Sequence, residues 1–351
     1  MTTRMRLRRP DPKTGVQARS VLADSRVGPA VQRIRRSKKL QLTLNVTFGL
    51  ALLGVSILSA RHFQAMGWPL HGADPVLVIA AGLLLLVAAA LKAWGWQRLF
   101  PKEERPSADG LAFAGAAACV GGIALPGRLD DVLRIAVVKR YPGRRPGLGV
   151  LGVSLIVVGM LDNAALTPLA SVAAADANTW AVRVGFAVVA AAGVAATVVV
   201  AFLPRLAGWR HVVRFRLGRW LSGHTHCTRE MWPALLFLSV SWALRGTAVF
   251  LLLNSLALGV SFPLALGVLC ASAASAALPI APAGAATQAG AGAAILIASG
   301  VHTADAIAFS VAVQAMVVVT GAAVMLLLSA WKLSLKMAPR LGFARPMAEL
   351  A

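Results

Sequence analysis

Apolar blocks of about twenty residues recur along the chain from residue 42 onwards, and they restrict its fold more than any other feature. A helix of that length spans the ~30 Å hydrocarbon layer of a bilayer. Hydrophobic residues make up 58% of the chain and charged residues only 14%, whereas soluble domains are about 25% charged. The period-two alternation of an outer-membrane barrel is absent. The sequence therefore predicts an all-α, polytopic helical membrane protein rather than a water-soluble globule.

Basic residues cluster between the apolar blocks. Of the 35 Lys and Arg residues, 32 lie in five segments, which are 1–41, 92–109, 128–147, 204–231 and 332–351. Loops rich in Lys and Arg stay on the cytoplasmic side of a membrane. We therefore predict a multi-pass protein of the cell (plasma) membrane whose N- and C-termini are both cytoplasmic.

Six of the apolar blocks fit full crossings with alternating direction, namely 42–60, 75–93, 148–172, 182–203, 233–256 and 305–330. Two further elements are broken by Pro and Gly and are predicted to be re-entrant segments or hairpins. Block 110–125 ends at Pro126–Gly127, and a full crossing would place the six basic residues that follow it on the outer side. Stretch 262–301 is apolar but is interrupted between Pro279 and Gly284, and charge alone leaves open whether it crosses twice.

Three regions follow from this pattern: a basic cytoplasmic tail (1–41) predicted to be disordered, a transmembrane domain (42–332) and a short basic tail (333–351). Basic residues beside a bilayer bind anionic headgroups. Nucleic acid is the alternative partner for a basic tail, but the tail adjoins a membrane block and contains no aromatic residue before Phe48. We expect membrane lipids as partners and no nucleic acid.

Signatures of soluble-type catalysis are missing from the sequence. The three cysteines are far apart, and the single His/Cys cluster at 224–227 has no second cluster to complete a metal site. No nucleotide-binding or hydrolase motif occurs. We therefore expect no cofactor, no metal and no enzymatic activity.

Two ionisable residues lie in the middle of predicted crossings, Asp162 and Arg245. Charges within hydrocarbon cost about 2.5–3.5 kcal/mol each on insertion scales, so each one suggests a partner or a function. One hypothesis is that Asp162 and Arg245 pair, either as a purely structural ion pair or as part of a substrate site. The neutral side chains of Gln288, Asn254 and Gln314 are expected to form hydrogen bonds between helices.

The densest polar motif is Pro126–Arg134, where a short apolar block ends. As a helix from about residue 129, it places Asp130 and Arg134 on one face at i, i+4, with Asp131 one turn from Arg128. Arginine can hold a phosphate through a bidentate fork while carboxylates orient it. The alternative is a solvated cytoplasmic loop.

The order of three motifs resembles the lysylphosphatidylglycerol synthase transmembrane region, also called the flippase-like domain family. The motifs are Pro126–Arg134, the Leu161–Asp162 pair and the break at Pro279–Gly284. The similarity extends over roughly 42–332. It identifies the chain as a divergent, stand-alone member without the soluble aminoacyl-transferase domain of the full-length synthases.

Several residues match the motifs of that family. In its usual Pro-x-Arg-x-Gly-Glu-x-x-Arg motif, Arg128 and Arg134 are retained, Asp131 replaces the Glu, and Asp130 replaces the Gly. After the proline break the chain has alanines, with Gln288 as the nearest polar residue. The resemblance and the intramembrane charges together predict the following substrate-binding residues: Arg128, Asp131, Arg134, Asp162, Arg245, Pro279, Pro282, Gly284 and Gln288.

The resemblance implies a lipid translocase that moves an anionic phospholipid, a glycolipid or a polyprenyl-phosphate-linked precursor between leaflets. Two other classes of function stay open. The protein could be a non-catalytic membrane partner or anchor of a glycosyltransferase or lipid-modifying enzyme. It could also be an intramembrane transferase that uses Asp130 and Asp131 as acid/base groups or metal ligands.

Overall fold

The computed structural model describes Arg61 and residues 72–121, 129–207, 230–277 and 284–337, and the fold within these ranges is built from helices. Within these ranges there is no β-strand. The helices are α1 (Pro75–Arg98), α2 (Ala108–Gly121), α3 (Leu129–Arg140), α4 (Leu148–Asp176), α5 (Trp180–Ala207), α6 (Met231–Ser255), α7 (Phe262–Ala277), α8 (Gly284–Ala298) and α9 (Thr303–Met337). The all-α prediction is confirmed.

Five helices are long and apolar enough to cross a membrane: α1, α4, α5, α6 and α9. Each contains a stretch of at least 24 residues, more than the roughly 20 that a bilayer requires. They correspond to five of the six predicted crossings and confirm a polytopic membrane protein. The sixth, 42–60, lies outside the described residues, as do the tail 1–41 and residues 338–351. The region boundaries placed at 41 and 332 stay predictions.

The two broken elements are pairs of short helices. Helices α2 and α3 pack against each other, and so do α7 and α8. Helices α7 and α8 have 16 and 15 residues, fewer than the roughly 20 needed to cross, which favours a hairpin that dips into the membrane. Residues 122–128 and 278–283, with the predicted Arg128, Pro279 and Pro282, lie outside the described residues.

Helix α9 links these two pairs, because it packs against both α2 and α8. A buried apolar cluster joins α1, α6, α7, α8 and α9, with Ala81, Leu252, Val268, Leu296 and Phe309 each contributed by a different one of these helices. On the other side of the bundle, α4 packs along α5 and also contacts α6 and α7. Helix α4 therefore lies between the lateral helix α5 and the central bundle.

The contact between α4 and α5 depends on Gly193. A Cβ atom at this position would lie 2.1 Å from Thr167 Oγ1 and 2.5 Å from the carbonyl oxygen of Asn163. Small residues allow membrane helices to approach this closely when the hydrophobic effect no longer drives association. The backbones of α4 and α5 therefore meet at Asn163, the residue that follows Asp162.

We predict that Gly193→Ala destabilises the protein, although alanine is the better helix former by about 0.5–1 kcal/mol. The added methyl group must displace the α4 backbone, and overpacking of this kind typically costs about 1–3 kcal/mol. Thermal unfolding in detergent measures the effect. Gly185→Ala is the matched control, since it lies on the same helix and a Cβ there meets nothing within 4 Å. Equal stability of the two variants would contradict the close approach.

Candidate functional site

Asp162 lies at the midpoint of α4, with 14 residues of the helix on either side. The segment is almost entirely apolar, which favours a long membrane helix. The helix begins directly after Gly147. The side chain of Asp162 is 18% exposed. A carboxylate at this depth requires partners, since water is not available to solvate it.

Both oxygens of the Asp162 carboxylate accept hydrogen bonds. Lys92 Nζ of α1 donates to Oδ2 at 2.6 Å, and Trp242 Nε1 of α6 donates to Oδ1 at 2.9 Å. The first contact is an ion pair with the short distance of a charge-assisted hydrogen bond. The hypothesis that Asp162 pairs with Arg245 is therefore wrong. Each oxygen of the carboxylate is instead bound by one donor, a lysine or an indole, from two other helices.

Arg245 instead lies over an aromatic ring. Its guanidinium carbon is 5.0 Å from the centroid of the Trp242 ring, and Lys92 Nζ is 5.9 Å from the same ring. Both distances are within the range of cation–π attraction. In the ranges that the structure covers, no carboxylate lies within 4.0 Å of Arg245. We refer to Lys92, Asp162, Trp242 and Arg245 as the Lys92 cluster.

Two buried hydrogen bonds fix the helices around the Lys92 cluster. Ser241 Oγ of α6 donates to the carbonyl oxygen of Ala88 at 2.7 Å, and Trp96 Nε1 of α1 donates to Ser154 Oγ of α4 at 3.1 Å. Ala88, Lys92 and Trp96 are four residues apart and thus share one face of α1. This face of α1 binds α4 and α6 through consecutive polar contacts.

Lys92 was not predicted as a site residue because it was grouped with the basic segment 92–109. The structure places it inside α1, six residues before the helix ends at Arg98. The signal that could have found it is the apolar run Ala93–Trp96, which continues the helix beyond the lysine.

The helical face predicted for the Pro126–Arg134 motif is confirmed. Arg134 in α3 contacts Asp130 at 3.2 Å (i, i+4) and Asp131 at 2.8 Å (i, i+3). Arg134 is therefore paired with carboxylates of its own helix, unlike Arg245.

Gln288 belongs to a separate part of the molecule. Gln314 Nε2 of α9 donates to Gln288 Oε1 at 3.5 Å, a weak interhelical contact of the predicted kind. Neither side chain forms a hydrogen bond or ion pair with the Lys92 cluster. The prediction was wrong for Asn254, whose amide donates to the carbonyl oxygen of Phe250 at 2.9 Å within α6, because a short polar side chain reaches the i−4 carbonyl of its own helix. Gly284 begins α8.

A third polar group connects the start of α2, the loop after α3 and the end of α9. Tyr141 donates its hydroxyl to Asp109 Oδ2 at 3.0 Å, and Lys332 Nζ contacts the same oxygen at 3.1 Å. Lys332 Nζ also lies 3.6 Å from the centroid of the Tyr141 ring. Burial raises the pKa of Tyr141, and the negative charge of Asp109 adds to the rise whereas Lys332 opposes it.

The residues that the structure describes contain no group of three His, Cys, Asp or Glu side chains that could hold a metal ion. Cys119 and Cys270 are free thiols. Cys227 and the neighbouring histidines at 224 and 226 lie outside the described ranges.

The fold and the Lys92 cluster define a polytopic helical membrane protein with an ionic group inside its bundle. A sequence model of the family described as Lysylphosphatidylglycerol synthase TM region matches residues 42–326. The chain belongs to this family, and its role is therefore that of a membrane-embedded, lipid-related protein. Comparison with curated proteins and with solved structures gives no match.

We predict that ultraviolet titration of the phenol has a midpoint above the ordinary tyrosine value of about 10. Tyr141 is the single tyrosine of the chain, so the tyrosinate signal reports on this site alone. Asp109→Asn should lower the midpoint because it removes a neighbouring negative charge. Asp305→Asn, at the opposite end of α9, is the control and should leave the midpoint unchanged. A wild-type midpoint at or below about 10 would contradict the described environment.

Proposed function

We propose that this protein is a lipid translocase of the plasma membrane that moves an anionic phospholipid, a glycolipid or a polyprenyl-phosphate-linked precursor between leaflets. The observation that carries the proposal is the charge balance of the Lys92 cluster. Lys92 and Arg245 contribute two positive charges against the single negative charge of Asp162, so one positive charge is in excess.

An excess cation inside a membrane protein is costly on its own. A phosphate headgroup would supply the missing negative charge at Arg245. A guanidinium binds phosphate with two parallel hydrogen bonds, and a cation–π contact to an indole does not replace those bonds. The cluster thus favours an anionic amphiphile over a neutral one.

The two helix pairs support the same function. Interrupted helices near the middle of a membrane place helix ends and irregular backbone where a polar substrate can bind. Helix α9 packs against both pairs through α2 and α8. A shift of α9 would therefore move both broken elements. Such a movement could expose a binding site to one leaflet and then to the other.

Each residue then has a proposed role. Arg245 binds the headgroup phosphate, and Asp162 holds Lys92 beside it. Helix α3, with Arg134 and Asp131, would meet the headgroup at the cytoplasmic side together with Arg128. The break from Pro279 to Gly284, which includes Pro282, would line the path of the lipid on the opposite side together with Gln288.

We further propose that the protein binds and releases its lipid without making or breaking a covalent bond. The sequence has no nucleotide-binding motif, so movement would be downhill or coupled to an ion gradient. The distribution of basic residues supports cytoplasmic termini.

We predict that Arg245→Gln slows exchange of a fluorescent phosphatidylglycerol between leaflets by roughly tenfold or more. The loss of a hydrogen bond to a charged group weakens binding by about 1.5–3 kcal/mol. The measurement is quenching of the outer-leaflet probe in vesicles that contain the purified protein, with protein-free vesicles as background.

Arg183→Gln is the matched control. Arg183 also lies in a membrane-spanning helix, but it donates to the carbonyl oxygen of Ala177 at the end of the bundle remote from Asp162. Both variants are first compared by thermal unfolding. The proposed function would be contradicted if the wild-type protein exchanged phosphatidylglycerol, a glycolipid and a polyprenyl phosphate no faster than protein-free vesicles do. Equal exchange rates for Arg245→Gln and Arg183→Gln would contradict the role of Arg245.

A further inference from the structure

A surface cavity of about 320 Å³ lies beside the turn between α1 and α2. Its lining includes three cationic side chains, Lys102, Arg105 and Arg144, together with Gln97 and Ser107. The volume is at the lower end of the roughly 300–1,000 Å³ found for small-molecule sites. We refer to it as the Arg105 cavity. Apart from Gln97 at the end of α1, its residues come from two loops, which the positive-inside rule assigns to the cytoplasmic side.

Direct contacts hold the two loops together. Arg144 donates to the carbonyl oxygen of Lys102, and the backbone N–H of Gly147 donates to Glu104 Oε2 at 2.7 Å. Gln97 Nε2 donates to the carbonyl oxygen of Pro106 at 2.8 Å, which ties the end of α1 to the turn. Gly143 has a φ of 125°, a backbone conformation that favours glycine, and it places Arg144 at the rim.

The charge of the Arg105 cavity is not compensated by the described part of the protein. None of Lys102, Arg105 and Arg144 lies within 4.0 Å of a carboxylate there. Of the two acidic residues in the same turn, Glu104 is bound to the Gly147 amide and Glu103 is exposed. Arg105 Nη2 donates to the carbonyl oxygen of Phe100 at 3.4 Å, and Arg105 Nε is buried without a hydrogen-bond partner among the described residues.

Three cationic side chains line one cavity, and no carboxylate of the described residues lies within 4.0 Å of them, so the cavity has an excess of positive charge that an anion would balance. Arginine forks match the oxygens of phosphate better than those of smaller anions. The N-terminus of α2, capped by Ser107, adds a positive dipole end. We propose that the Arg105 cavity binds a phosphate ester, presented either by a lipid headgroup or by a soluble metabolite.

This site is separate from the Lys92 cluster. Gln97 follows Lys92 by five residues along α1, which is about 7.5 Å of helix. The inference does not require lipid movement between leaflets, since it concerns binding at one membrane surface.

The test uses the full-length protein in nanodiscs of phosphatidylcholine. Calorimetric titration with inorganic phosphate and with glycerol phosphate tests for a soluble ligand. Nanodiscs that also contain phosphatidylglycerol, followed by mass spectrometry of retained lipid, test for a headgroup. Binding in either arm that is weakened by Arg105→Gln or Arg144→Gln supports the inference and identifies the source, and binding in neither arm overturns it.

Arg105→Gln and Arg144→Gln should each weaken the observed binding by roughly tenfold, because each removes a charge-assisted contact. Arg145→Gln is the matched control, since it removes the same charge from the next residue, which does not line the cavity. We expect that control to stay close to wild type, with all variants checked by thermal unfolding. An equal loss in Arg144→Gln and Arg145→Gln would show general electrostatic attraction and would overturn the site.

Arg245→Gln separates this inference from the proposed function. That variant should retain wild-type binding at the Arg105 cavity even where exchange between leaflets is slowed. Loss of phosphate binding in Arg245→Gln would show that the anion binds at the Lys92 cluster, which would also overturn the inference.

Discussion

The ion pair between Lys92 and Asp162 is the interaction on which the arrangement of the bundle depends. It joins α1 to α4 at 2.6 Å, and Trp242 brings α6 to the same carboxylate. Burial of apolar surface alone favours no particular rotation of these helices, because lipid tails are as apolar as the helix surfaces. An ion in hydrocarbon can be accommodated only where its partner lies, so the pair specifies which faces of the three helices meet.

The chemistry of the site follows from the same pair. Asp162 is bound by Lys92 and Trp242, and Arg245 contacts an aromatic ring and no carboxylate among the described residues. The contact of Gly193 with Asn163 and Thr167 holds α4 from the other side. The packing of these helices thus leaves two cations beside one carboxylate in the cluster, and the proposed lipid phosphate would balance the second cation.

The crossing helices could be predicted from sequence because the thickness of hydrocarbon sets a length that apolar blocks must match. The Asp130–Arg134 face could be predicted because helical period is local. The partner of Asp162 could not be predicted, because the position of a residue along a helix does not tell which neighbouring helix its side chain faces. Arg245 lies at a similar depth to Asp162, but Lys92, nearer the end of its helix, makes the contact. The hydrogen bond of Asn254 within α6 was not predicted either. A short polar side chain can reach a carbonyl oxygen of its own helix and then needs no partner on a neighbouring helix.

The stability cycle of Lys92→Met and Asp162→Leu, singly and together, tests the central ion pair most directly. Each single variant leaves an unpaired charge, which costs about 1–3 kcal/mol or more when buried, whereas replacing both partners by apolar residues is often close to neutral. Thermal unfolding in detergent should therefore show the double variant to be more stable than either single variant. Losses that simply add in the double variant would contradict the pairing of these two residues.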